Sequence, residues 1–112
     1  MIRHKVTIPI KPKSKGRPRA GRNGFYTDKA TKIYEQAIGK AYIESEGPFF
    51  VTPVQVNLTF MKGEVTIEIM EVEGTSSIRS DLDNLIKAVL DGLNGVAFTD
   101  DKQVVEIHSY KK

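Results

Sequence analysis

Cysteine is absent from the 112 residues. There is therefore no disulfide framework and no cysteine-based zinc site. Histidine is nearly absent. His4 and His108 are the only imidazoles and lie far apart in the chain, so a histidine-rich metal site is not expected. No run approaches the ~18 consecutive apolar residues that span a bilayer. The opening MIRHKVTIPI is basic, yet it lacks the long apolar segment and small-residue cleavage site of a secretory signal. The expectation is a cytosolic protein. No internal repeat and no coiled-coil pattern occurs.

What remains describes one soluble globular domain, residues 1–112 by the usual length prior. Hydrophobic residues make up 39% and charged residues 28%, which is ordinary for that class. The charge is unevenly placed. Residues 1–40 hold eleven Lys and Arg against two acids, and residues 41–112 hold six against twelve. The two parts carry +9 and −6, which together make the chain's +3. A basic front of this kind points to a polyanionic partner.

Taken in order, residues 2–10 alternate as a strand, with Pro9 marking an edge or an end because it lacks the ladder donor. Residues 11–24, KPKSKGRPRAGRNG, read as a mobile basic loop. Six of its fourteen residues are Lys or Arg: Lys11, Lys13, Lys15, Arg17, Arg19 and Arg22. Little else there can build a core. A nucleic-acid backbone would relieve the mutual repulsion of these charges and release counterions. A merely solubilising loop or a targeting signal is the other reading. Phe25 and Tyr26 can return to the core or stack on bases.

Residues 28–46 read as a helix with an Ile33, Tyr34, Ala37, Ile38, Ala41, Tyr42 stripe, capped by Thr27 or Asp28 and ended by Gly47-Pro48. Residues 51–60 and 64–71 alternate as strands of a hairpin joined at Met61-Lys62-Gly63.

The most informative stretch is 79–107, RSDLDNLIKAVLDGLNGVAFTDDKQVVEI. Leu82, Leu85, Ile86, Val89, Leu90 and Leu93 form an amphipathic helical stripe. Ser80 or Asp81 can cap its start, and Asn94-Gly95 suits its end. Gln103–Ile107 reads as a final strand. The order is β-α-β-β-α-β, an α+β fold with helices packed on a mixed or mostly antiparallel sheet.

Asp81 and Asp83 sit at that helix start, and Asp100-Asp101 open the last strand. Should the strand pack back along the helix, the two pairs approach one another. Converging carboxylates repel unless a cation lies between them, and hard oxygen ligands suit Mg²⁺ or Mn²⁺. The plainer reading is that acids in a first turn meet the helix dipole and that Asp-Asp is a common turn. At ~100° per residue, Asp81 and Asp83 can share an ion only if Asp81 lies in the cap or an extended segment. Lys87, four residues after Asp83, is either its surface ion-pair partner or a cation for a reacting phosphate.

These residues resemble the RusA-type Holliday junction resolvases. The likeness rests on Asp81-Leu82-Asp83-Asn84-Leu85, Lys87-Ala88, Leu90-Asp91, Leu93-Asn94-Gly95 and Asp100-Asp101-Lys102-Gln103-Val104-Val105. Lys11 to Arg19 is similar to the basic loop of many members. The resemblance implies a small homodimeric endonuclease that cuts four-way DNA junctions in recombination and repair with Mg²⁺, Mn²⁺ substituting. Such enzymes are often phage or prophage encoded. It further implies Asp81, Asp83 and Asp101 as metal-binding catalytic carboxylates and Lys87 as the catalytic lysine. Asp100 stays a second candidate, since neighbouring strand residues face opposite ways, and Asp91 is read as structural. Ser80 stands where many members have proline, and Ser77–Ser80 lacks the aromatic some carry. The rival readings are a metal nuclease acting on flaps, forks or RNA, and a non-catalytic nucleic-acid-binding module.

Overall fold

Alternating apolar residues build a three-stranded antiparallel sheet. The computed structural model describes residues 1–15, 19–21, 24–26 and 28–112, the stretches 19–21 and 24–26 by backbone alone. In chain order the elements are β1 (Arg3–Ile8), β2 (Arg19–Gly21), β3 (Gly24–Tyr26), α1 (Lys29–Glu44), β4 (Val54–Met61), β5 (Glu64–Glu71) and α2 (Leu82–Leu93), with a 3-10 turn at Asp101–Gln103. The chain divides into two compact units, Met1–Glu73 and Gly74–Lys112.

In the first unit the sheet order is β1-β5-β4, every pair antiparallel. The register sets Val6 against Ile67 and Leu58 against Ile67, so Ile8, Val65 and Phe60 share a row one step away. One face is thus apolar and the other carries Thr7, Thr66, Glu68 and Asn57, joined by hydrogen bonds such as Thr7 Oγ1 to Thr66 Oγ1 at 3.0 Å. Pro9 follows the end of β1, an edge strand, as its missing donor requires.

Helix α1 packs against β1. Asp28 caps it, accepting the Thr31 backbone N–H at 2.9 Å and the Thr31 hydroxyl at 2.8 Å. Thr31 is buried, and these bonds satisfy its polar groups. At the other end Tyr42 meets the His4 ring edge-on at 5.4 Å, and its hydroxyl donates to the Pro48 carbonyl. His4 Nε2 lies 2.9 Å from Ser45 Oγ. Glu46 takes a left-handed φ of 60° to end the helix, and a Cβ at Gly47 would collide with the Tyr42 ring. Glycine is needed there for close approach.

The core under α1 is small. Ile8 and Val65 are its buried apolar residues, while Val54, Val56, Leu58 and Phe60 of β4 stay 39 to 60% exposed.

Part of the basic stretch 11–24 is regular, where the sequence pointed to a loop. β2 and β3 pair antiparallel, Arg19 with Tyr26 and Gly21 with Gly24. No strand period marks these short segments, rich in glycine and arginine. The Phe25 and Tyr26 side chains, and Thr27, lie outside the described residues.

The second unit centres on α2. Its apolar stripe is only half-covered, and Val89 is exposed. The helix stops at Leu93 through Gly95, whose φ of 77° is left-handed, and the Leu93 carbonyl accepts from both Val96 and Ala97. No helix among the described residues is long and apolar enough to cross a membrane.

The expected final strand is corrected. Gln103 belongs to the 3-10 turn, and Val104–Lys112 carries no regular structure. An alternating pattern needs a ladder partner, and no described strand pairs with these residues. Val105 is 95% exposed. Instead the tail returns to the approach of α2, where Lys111 Nζ donates to the Ser80 carbonyl at 3.2 Å and Ser76 Oγ donates to the Lys112 carbonyl at 3.1 Å.

Candidate functional site

Four of the second unit's five aspartates, Asp81, Asp83, Asp100 and Asp101, differ in role. Asp81 is the N-cap residue of α2, with extended backbone at φ −65° and ψ 138°, and its side chain makes no capping hydrogen bond. A short acid at a helix start normally satisfies one of the unpaired N–H groups there. Here that carboxylate is left over. Its extended backbone also meets the condition that a helical Asp81 would have failed, since two helical residues two apart diverge.

Asp83 lies in the first turn of α2 and is exposed. Lys87 lies one turn on and is exposed too. The spacing permits an ion pair between them, yet none forms among the described residues. Both charges stand uncommitted in the helix's field.

Asp100 and Asp101 differ sharply. The Asp100 carboxylate caps the 3-10 turn, accepting the Lys102 backbone N–H at 2.8 Å. Gln103 Oε1 closes the box by accepting the backbone N–H of Thr99 at 2.7 Å and of Asp100 at 3.1 Å. Asp101 is half-buried, and its carboxylate has no hydrogen-bond or ion-pair partner among the described residues.

Asp81, Asp83 and Asp101 are thus three carboxylates with free lone pairs. Their chemistry suits a hard divalent ion that prefers oxygen ligands. They are not gathered in advance: no three His, Asp or Glu side chains among the described residues form a group able to hold a metal ion. An ion recruited here would therefore have to draw its ligands together.

Lys111 was missed by sequence reasoning. Its bond to the Ser80 carbonyl puts a cation beside the residue that precedes Asp81. No local pattern marks a terminal lysine for such a place.

The basic stretch belongs to the first unit. Lys11 and Lys13 are exposed, and Lys13 Nζ donates to the Ser14 carbonyl at 3.3 Å. Lys15 Nζ lies 3.2 Å from Glu35 Oε2 on α1. An exposed pair of this kind contributes little to stability. Arg17 and Arg22, and the side chain of Arg19, lie outside the described residues. Lys29 and Lys32 add exposed cations on the first turns of α1.

Residues 9–112 match the model of the family described as Endodeoxyribonuclease RusA, a span that takes in both units. No curated protein matches the chain, and no solved structure matches it.

Proposed function

Because the chain belongs to the RusA endodeoxyribonuclease family, we propose that it is a Mg²⁺-dependent, structure-specific endodeoxyribonuclease that resolves four-way DNA junctions by paired phosphodiester cleavage. The family acts on branched DNA junctions and is generally dependent on divalent metal. The reading is carried by a match that includes the acidic helix and the basic stretch together. Residues 1–112 would act as one catalytic domain, in the cytoplasm, in recombination and repair.

In this reading Asp81, Asp83 and Asp101 hold the metal. Their uncommitted carboxylates support the assignment, as does the capping duty that occupies Asp100. When bound, Mg²⁺ supplies charge relief at the scissile phosphate and acidifies water. Lys87 brings an ammonium to the negative charge that develops as the phosphodiester breaks, a contribution largest where water is excluded. Three acids would otherwise push the DNA backbone away, so neutralising them also admits the substrate. Hydrolysis consumes one water, whose oxygen joins phosphorus as one ester oxygen leaves.

Lys11, Lys13, Lys15, Arg17, Arg19 and Arg22 would neutralise backbone phosphates and position the junction without reading sequence. A four-way junction offers two symmetry-related cleavage sites, and a C2 homodimer presents two copies of one active site. The exposed apolar residues Val54, Val56, Leu58 and Phe60 along β4 support a partner of this kind.

One gel tests the whole reading: a labelled junction incubated with protein plus Mg²⁺, with EDTA, and with Asp83→Asn. Paired cuts in the first lane alone are expected. Cuts on a flap, fork or RNA in preference to the junction would give the substrate to a different metal nuclease. Binding with no cuts in any lane would leave a non-catalytic module.

A further inference from the structure

A shallow open cavity of about 440 Å³ lies between the start of the basic stretch and α1. Ile10, Pro12, Ile33 and Tyr34 line it together with Lys11 and Lys13. The Lys15–Glu35 ion pair at 3.2 Å ties the same stretch to the same helix one residue beyond Tyr34. Two features of the cavity suit a ligand of mixed character. Ile33 is left 55% exposed, an apolar surface in contact with water, beside two exposed lysines, Lys11 and Lys13.

We propose that this cavity takes one unpaired base of a DNA strand, its ring stacked on Tyr34 with Ile33 alongside and its flanking phosphates on Lys11 and Lys13. A nucleotide is the ligand whose chemistry answers both features. Its base has broad faces that stack on an aromatic ring without regard to sequence, and its phosphates answer the lysines. A lipid chain would fill the apolar wall but needs a longer groove. A free phosphate would answer the lysines and leave Ile33 wet. The site deepens the DNA-binding reading above and depends on it: bases become unpaired where a junction is opened, and a pocket beside the phosphate-binding stretch would capture one there.

The test compares a short oligothymidylate with a linear duplex of equal length, by fluorescence anisotropy in EDTA so that nothing is cut. Tyr34→Ala is expected to weaken single-strand binding about 5- to 150-fold, the range that loss of one base–aromatic stack gives, and to move duplex binding less than about twofold, since duplex is held by phosphates. Tyr34→Phe should bind as the unmodified protein does. Equal losses on both DNAs, or no loss on either, would overturn the proposal.

A second measurement needs no variant. An oligothymidylate carrying 5-iododeoxyuridine is photo-crosslinked to the unmodified protein, and the adduct is mapped by mass spectrometry. Attachment at Tyr34 supports the site, and attachment confined to other peptides overturns it. The two levels of failure separate cleanly. Junction cleavage that persists while Tyr34 proves irrelevant removes the base pocket alone. A protein that binds neither oligothymidylate nor junction removes the nuclease reading as well.

Discussion

Asp100 and Gln103 cap each other. The Asp100 side chain accepts backbone N–H from the 3-10 turn, and Gln103 Oε1 accepts the Asp100 N–H at 3.1 Å. This reciprocal box gives Asp100 a structural duty that its neighbour Asp101 does not share. Two adjacent acids that look interchangeable in the sequence are thereby told apart.

The first prediction follows from that difference. Asp100→Ala removes a cap and should cost about 0.5–2 kcal/mol of stability, while junction cleavage at a temperature well below unfolding stays within a few-fold. Asp101→Asn should leave the melting curve nearly unchanged and abolish cleavage. Thermal melts beside cleavage rates check both. The reverse pattern would hand the metal-binding role to Asp100.

Asp83→Asn is expected to end cleavage in Mg²⁺ while binding to the junction persists or tightens, because a negative charge that repels DNA has gone. Cleavage is read on a gel and binding by mobility shift in EDTA. Cleavage at the unmodified rate would remove Asp83 from the site.

Ligands that must be drawn together bind their ion weakly. Thermal stability should therefore rise only as Mg²⁺ or Mn²⁺ reaches high concentration, by about 1.4 kcal/mol at tenfold the dissociation constant. The rise should vanish in Asp81→Asn. A melting temperature indifferent to both ions in the unmodified protein would argue that no such site forms without DNA.

Replacing Lys13, Lys15, Arg17 and Arg19 with Ala should weaken binding to junction, flap and duplex alike. If four phosphate contacts are lost, the slope of log affinity against log salt falls by about 3.6. A titration at several salt concentrations measures it, and an unaltered slope would point these side chains elsewhere.

Leu58→Glu places a charge in the open apolar row of β4. The expected result is a shift from dimer to monomer in sedimentation at micromolar concentration, with the far-ultraviolet circular dichroism retained. A dimer that survives the change would put its interface on another surface.

Sequence alone determined five local elements. The 2-residue period marks β1, β4 and β5, and the 3.6-residue period marks α1 and α2, because those repeats gather apolar side chains on one face of a strand or helix. The ends were legible for the same local reasons: Pro9 after β1, Asp28 before α1 and Gly95 after α2 act within a few residues of themselves. The family motif, too, is a matter of residue order, and it named Asp81, Asp83, Lys87 and the Asp100–Asp101 pair.

Only the tertiary structure decided what depends on a partner. Gln103–Ile107 alternates like a strand, but a strand requires a ladder from distant residues, and none is offered to it among the described strands. The acids of α2 and of the 3-10 turn are joined by no local rule, and they are not gathered into a metal-holding group. That Asp100 rather than Asp101 is spent on a backbone N–H is, by contrast, a local matter: Asp100-x-x-Gln103 has capping-box spacing, a signal hidden by reading these residues as the start of a strand.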